Sequence, residues 1–282
     1  MFVGLMVALV VFGAVAAGAM SQLPAIGAGA LLFPARKTQI VAAPANCVER
    51  RFTGEGVELA GWHCESGAPV RRGTVVYLHG IGDNRSSAVG PIAHLLPLGY
   101  DVIAYDGRRH GLSDGNQCTY GYFEKVDLKR VIAQSGARDV VVMGYSLGAA
   151  VALQAAADEP LVRAVIAIAT FSDLRTVVME RAPQVFFPSF AIDSALARAE
   201  RDGRFVIDDV SPVAAARRIA APVLLIHGAD DHNTPYAHST RVFDALQGSK
   251  HLVIVPRAGH NDVLRNDVWN QIGAWLDTAL TN

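Results

Sequence analysis

Six short runs of Val, Ile and Leu punctuate the chain: Thr74–His79, Asp101–Asp106, Asp139–Gly144, Ala164–Ala169, Pro222–His227 and His251–Pro256. They are apolar throughout rather than alternating. Strands covered on both faces have that pattern, as in parallel sheets sandwiched between helices. Between the runs lie segments of helical character, at about Ser86–Leu98, Tyr122–Gln134, Leu147–Asp158, Pro212–Ile219, Ala237–Leu246 and Asp262–Leu280; in the second, Phe123, Val126, Val131 and Ile132 sit near helical spacing. Ahead of them, "NCVERRFTGEGVELAGWHCE" alternates about Gly54-Glu55-Gly56, the mark of a hairpin. Strand–helix alternation predicts an α/β fold, a mostly parallel sheet of about eight strands with helices on both faces.

One stretch breaks the rhythm. Phe171–Val210 is too long to be a plain connection and holds helical pieces, so residues 172–210 are expected to form a lid insertion. Its Phe186, Phe187, Phe190 and Ile192 suit a hydrophobic substrate, and equally suit a core for the insertion itself.

The first charged residues are Arg36 and Lys37. Residues 1–35 therefore read as an apolar segment ahead of an α/β domain over 36–282. "MFVGLMVALVVFGAVAAGAM" is long enough to span a bilayer and lacks the leading positive charge of a signal peptide. A membrane anchor is expected, with secretion or the periplasm as the alternative. The positive-inside rule would keep Arg36 and Lys37 in the cytoplasm. Against that, Cys47 and Cys64 flank the hairpin, and a bridge between them would need an oxidising compartment. The three cysteines match no metal or redox spacing and read first as plain thiols. With 26 acidic and 25 basic side chains spread along the chain, no basic block exists to bind nucleic acid.

Ligand sites in open α/β sheets lie at the C-terminal strand ends. There the chain reads Gly144-Tyr145-Ser146-Leu147-Gly148, a G-x-S-x-G placed between strand and helix. Ser146 is either a nucleophile on a strained elbow or an N-cap for the helix. A serine nucleophile needs a base, and His260 follows the last strand at the correct sheet end, whereas His251 opens that strand and His238 sits in a helix. The base needs an orienting acid, for which "LLIHGADDHNTP" offers Asp230 and Asp231. An oxyanion hole would use the N–H of Leu147 and one from "HGIGD", that of Ile81 with Gly80 as alternate. The same loop is not a dinucleotide motif, because Arg85 stands where the third glycine belongs. No metal or cofactor site is expected. A metal cluster of Asp230, Asp231 and His232 is disfavoured because adjacent side chains diverge.

Together, "HGIGDNR", "YDGRRHGLSDG", "GYSLGA", "HGADDHNTP" and "AGHND" resemble the α/β-hydrolase superfamily, in that family's order and over roughly residues 50 to 280. The resemblance implies a Ser146–Asp231–His260 triad, since the family's H-G-x-x-D-x-x-x-P pattern aligns His227, Gly228, Asp231 and Pro235. It also implies that Arg108, Arg109 and His110 hold a structural loop, and it is similar to bacterial esterase- or peptidase-like branches with an N-terminal anchor. The activity expected is a serine hydrolase acting on small-molecule carboxylic esters. The alternatives are an aminopeptidase or acyltransferase on the same triad, or a catalytically silent membrane-tethered binding scaffold.

Overall fold

The computed structural model describes Gly18 and residues 20–280. A helix α1 (residues 20–32) leads into the hairpin β1 (Cys47–Thr53) and β2 (Glu58–Cys64). The apolar runs become β3 (Gly73–Leu78), β4 (Tyr100–Tyr105), β5 (Val140–Tyr145), β6 (Val162–Ile168), β7 (Val223–Gly228) and β8 (Lys250–Val255). The eight strands lie in the order β1-β2-β4-β3-β5-β6-β7-β8. Only β1 and β2 run antiparallel to their neighbours, and every pair from β4 to β8 is parallel. This is the α/β-hydrolase fold, with boundaries within a few residues of those expected.

Strand pleating divides the central side chains between two cores. Val76, Leu78, Ile103, Val140 and Val142 face one side with α3 (Glu124–Ser135), α4 (Leu147–Ala156), α7 (Pro212–Ala216) and α8 (Ala237–Ala245). Val75, Tyr77, Val102, Val141 and Met143 face the other with α2 (Val89–Leu95) and α9 (Asn266–Ala279). Period-two alternation with both faces covered is why the interiors of these runs show no apolar–polar alternation. Each buried aliphatic side chain contributes about 1.5–3 kcal/mol to this packing.

The insertion forms a third, smaller core. It comprises α5 (Leu174–Arg181), α6 (Ile192–Gly203) and single 3-10 turns. Its Leu174, Ile192, Leu196 and Phe205 pack with Ala150 of α4 and with Ala28 and Leu32 of α1. Residues 20–32, read from sequence as the end of an anchor, are thus folded onto the insertion. Among the described residues no helix is long and apolar enough to cross a membrane. Most of the expected anchor, residues 1–17 and 19, lies outside them.

The cysteines correct the first sequence reading. Cys47 and Cys64 are directly opposed in the β1–β2 register and are joined by a disulfide, leaving Cys118 free and buried. Hairpin register is what brings them together. Thr53 pairs with Glu58 beside the turn, so residues equally far back along each strand face one another.

Candidate active site

The elbow between β5 and α4 is dictated by two close approaches. A Cβ on Gly144 would lie 2.2 Å from the Gly148 carbonyl oxygen, and one on Gly148 would lie 2.3 Å from that of Leu78. Only glycine fits at either position. Between them Ser146 adopts φ 52°, a left-handed conformation that is costly for a side-chain-bearing residue. Its N–H is held by the Ile168 carbonyl at 2.7 Å. The strained turn lifts the hydroxyl off the sheet, and the side chain makes no capping hydrogen bond to α4. The N-cap reading of Ser146 is therefore set aside.

That hydroxyl instead donates to His260 Nε2 at 3.0 Å, and His260 Nδ1–H donates to Asp231 Oδ2 at 2.6 Å. Asp231 is itself fixed: its Oδ1 accepts the N–H groups of Asn233 and Thr234, both at 2.9 Å. His227 Nε2–H is shared between the Thr234 carbonyl at 2.7 Å and Asp231 Oδ2 at 3.1 Å. Burial pushes the Asp231 pKa up. The hydrogen bonds from His227, His260 and the Thr234 N–H outweigh it and hold the carboxyl well below the usual range. Asp230 is exposed and bonds only through its backbone, to the Ala258 carbonyl. The structure thus brings Ser146, Asp231 and His260 into one hydrogen-bonded line. It leaves Asp230, His232 and His251 at the surface, and His238 buried elsewhere.

Ile81 and Leu147 both border a cavity of about 300 Å³ beside Ser146, whereas Gly80 does not. Leu147 opens α4, so its N–H has no acceptor one turn earlier in the helix. The Ile81 loop is steadied by His79, whose Nδ1–H donates to the Gly80 carbonyl at 2.7 Å. Its Nε2 accepts from the Gly107 N–H at 2.9 Å. Of the expected lid residues, Phe187 and Ile192 line the cavity, while Phe186 and Phe190 face out at 95% and 69% exposure.

The "YDGRRHGLSDG" loop is structural, as expected. Buried Asp106 accepts from the Arg85 and Leu112 N–H groups and from the Arg85 guanidinium. Arg108 forms a bidentate pair with Asp127 at 2.7 and 2.8 Å.

A family model described as α/β hydrolase fold matches residues 73–202, and one described as TAP-like protein matches residues 205–279. These two matches, together with the sheet order, give the chain an α/β-hydrolase fold. It is 29% identical over 226 residues to the uncharacterized protein YqkD of Bacillus subtilis, spanning 73% of this chain and 70% of that one. Among solved structures, the esterase Pf2001 of Pyrococcus furiosus superposes with a TM-score of 0.70 at 20% identity, over 87% of this chain and 99% of that one. The acylaminoacyl peptidase of Pyrococcus horikoshii superposes at 0.65 and 16% identity, over 84% of this chain and 42% of its own. At these identities the structural likenesses establish the fold alone.

Sequence reasoning missed three contributors to the site. The first is Tyr145, whose hydroxyl donates to the His260 main-chain carbonyl. The second is His227, holding Asp231. The third is the wall that α1 lends the cavity through Gly27, Ala30 and Leu31. The H-G-x-x-D pattern already contained His227, but a polar residue ending a buried strand carries no sign of its partner.

Proposed function

We propose that this protein is a serine hydrolase that cleaves carboxylic esters through an acyl-enzyme on Ser146. The observation that carries this reading is the line from Ser146 through His260 to Asp231, bordering an apolar cavity. Ser146 Oγ attacks the ester carbonyl while His260 Nε2 takes its proton. Asp231 keeps Nδ1 protonated and stabilises the imidazolium that forms. The N–H groups of Ile81 and Leu147 receive the oxyanion, aided by the N-terminus of α4. His260 then returns the proton to the leaving alcohol. A water, activated by the same imidazole, releases the acid.

The cavity favours an ester over an aminoacyl amide. Among the described residues its lining includes one cation, Arg181, and no carboxylate to receive a substrate ammonium group. A silent scaffold would not need Ser146 in a strained conformation facing an oriented histidine.

We further propose that residues 1–19 tether the enzyme to a membrane on its oxidising face. The Cys47–Cys64 disulfide supports that side. Arg36, the first cation, is engaged by the Gly111 and Ser113 carbonyls, and Lys37 pairs with Asp83 at 3.3 Å. Both cations therefore have structural work that explains their position without a topological signal.

The deciding experiment is labelling with a fluorophosphonate. Wild-type protein is expected to label and Ser146→Ala to lose the label. Folded wild-type protein that takes no label would overturn the hydrolase reading.

A further inference from the structure

The cavity beside Ser146 has walls from two sources. One is the lid, through Val177, Phe187 and Ile192, and the other is α1, through Gly27, Ala30 and Leu31. The contact between them is close. A Cβ on Gly27 would stand 2.6 Å from Ala195 Cβ and 2.8 Å from Phe187 Cζ, so only glycine lets α1 approach α6 and the cavity aromatic at this distance. Below that point α1 is fastened to the body of the domain. The Tyr120 hydroxyl donates to the Leu31 carbonyl at 3.2 Å, and the Cys118 N–H donates to the Leu32 carbonyl at 2.9 Å. Ala28 and Leu32, each 1% exposed, belong to the lid core. A segment that served only as a tether would need none of these contacts.

We infer that α1 is part of the acyl-binding site, and that the bulk it presents at Gly27 and Leu31 sets the length of the acyl chain accepted. This rests on the hydrolase reading above, which puts the acyl carbon at Ser146. From there an unbranched chain runs into a cavity of about 300 Å³ whose lining is apolar apart from Ser146, Thr234, Arg181 and Tyr120, the last with its hydroxyl tied to the Leu31 carbonyl. The substrate class is an ester of a medium- to long-chain unbranched acid. A short acyl group would leave the α1 wall unused.

The test uses the full chain in detergent and p-nitrophenyl esters from acetate to dodecanoate. In the wild type, kcat/KM is expected to climb by up to about fourfold per methylene until the cavity is filled. Gly27→Leu, which crowds Phe187 and Ala195, is expected to lower the octanoate-to-acetate ratio of kcat/KM at least tenfold. Because that variant strains a packed contact, Leu31→Ala and Leu31→Trp provide a second reading. The first is expected to move the optimum to longer chains and the second to shorter ones. Ile26→Ser, on the exposed face of the same helix (58% exposed), is expected to keep the wild-type profile. Ester hydrolysis with unaltered chain-length profiles in the Gly27 and Leu31 variants overturns this inference alone. Absence of hydrolysis of every ester, with Ser146 unlabelled by fluorophosphonate, overturns the hydrolase reading and this inference with it.

Discussion

The Tyr145 hydroxyl donates to the main-chain carbonyl of His260, so the residue before the elbow serine holds the loop that carries the proposed base. The two rings also meet edge to face, with centroids 6.1 Å apart. Burial pushes the Tyr145 pKa well up, so the phenol stays protonated and remains a donor across any usable pH. Tyr145→Phe keeps the ring and removes only the donor. His260 is then free to drift from Ser146, and a displacement of about 1 Å can cost on the order of 100-fold in rate. A fall in kcat of about 10- to 100-fold with little change in KM is expected from steady-state kinetics. An unchanged kcat would show that the loop needs no such tie.

Asp231 and Asp230 are neighbours with opposite surroundings. Asp231 is buried against His260 and His227, and Asp230 is exposed. Asp231→Asn would present an amide where His260 Nδ1–H needs an acceptor, and is expected to reduce kcat on the order of 10⁴-fold, as loss of the orienting carboxylate does in triad enzymes. Asp230→Asn is expected to stay within about twofold of the wild type, because exposed substitutions away from partners have small effects. Comparable losses in both would refute the assignment.

A second serine–histidine–acid chain lies under the lid. His238 Nδ1 accepts the Ser172 main-chain N–H at 3.1 Å and lies 2.8 Å from the Ser172 hydroxyl, which donates to Asp173 Oδ2 at 2.9 Å, and His238 Nε2–H donates to Glu180 Oε2 at 2.9 Å. Ser172 is fully buried and lies outside the cavity lining, so this chain fastens α5 to α8 rather than meeting substrate. His238→Ala leaves buried partners unsatisfied and should cost about 1–3 kcal/mol, seen as a lowered Tm, while Ser146 still labels with fluorophosphonate. His260→Ala should do the reverse, with Tm near wild type and labelling abolished. Loss of labelling without loss of stability in His238→Ala would contradict this division.

Strands announce themselves in this chain because both faces of the sheet are covered, which leaves unbroken runs such as Val140–Met143. Ser146 stands out through its glycine neighbours, and His260 through its place after the last strand. Asp231 and Asp230 are inseparable by local chemistry alone. They differ in direction, and direction is set by the turn in which the Asn233 and Thr234 N–H groups bind one carboxylate. The role of α1 is hidden for a different reason. An uncharged apolar run has the same composition whether it meets lipid or protein, so Ala28 and Leu32 carry no mark of the lid they pack against. The Cys47–Cys64 bond depends on hairpin register, which follows from the turn and the pairing rather than from cysteine spacing.

The disulfide closes a 17-residue separation at the edge of the sheet. In the chain-entropy picture a loop of that size contributes about 3 kcal/mol by restricting the unfolded chain. Cys47→Ser is expected to lower stability by roughly that amount in urea unfolding, and dithiothreitol should bring the wild type to the same midpoint. The variant itself should be insensitive to the reductant. A wild type whose midpoint dithiothreitol leaves unmoved would show that the bridge contributes nothing to stability.

His110 sits within the structural loop with its ring 5.0 Å from that of His79. Burial, reinforced by the neighbouring His79, Arg109 and Arg36, pushes its pKa down to about 3. The folded state therefore holds His110 neutral, while the unfolded chain takes up the proton below about pH 6.5. Stability from this group is complete above that pH and is lost progressively as pH falls toward 3. The slope is about 1.4 kcal/mol per pH unit for one proton. His79, also depressed chiefly by burial, adds in the same direction. His110→Asn keeps a donor for the Arg108 carbonyl, which Nδ1–H contacts at 2.9 Å, and removes the titration. Urea unfolding at about pH 7 and about pH 5 should show a wild type that weakens on acidification and a variant whose loss is smaller by about 1.4 kcal/mol per unit. Equal slopes in the two proteins would mean that His110 is not held neutral by the fold.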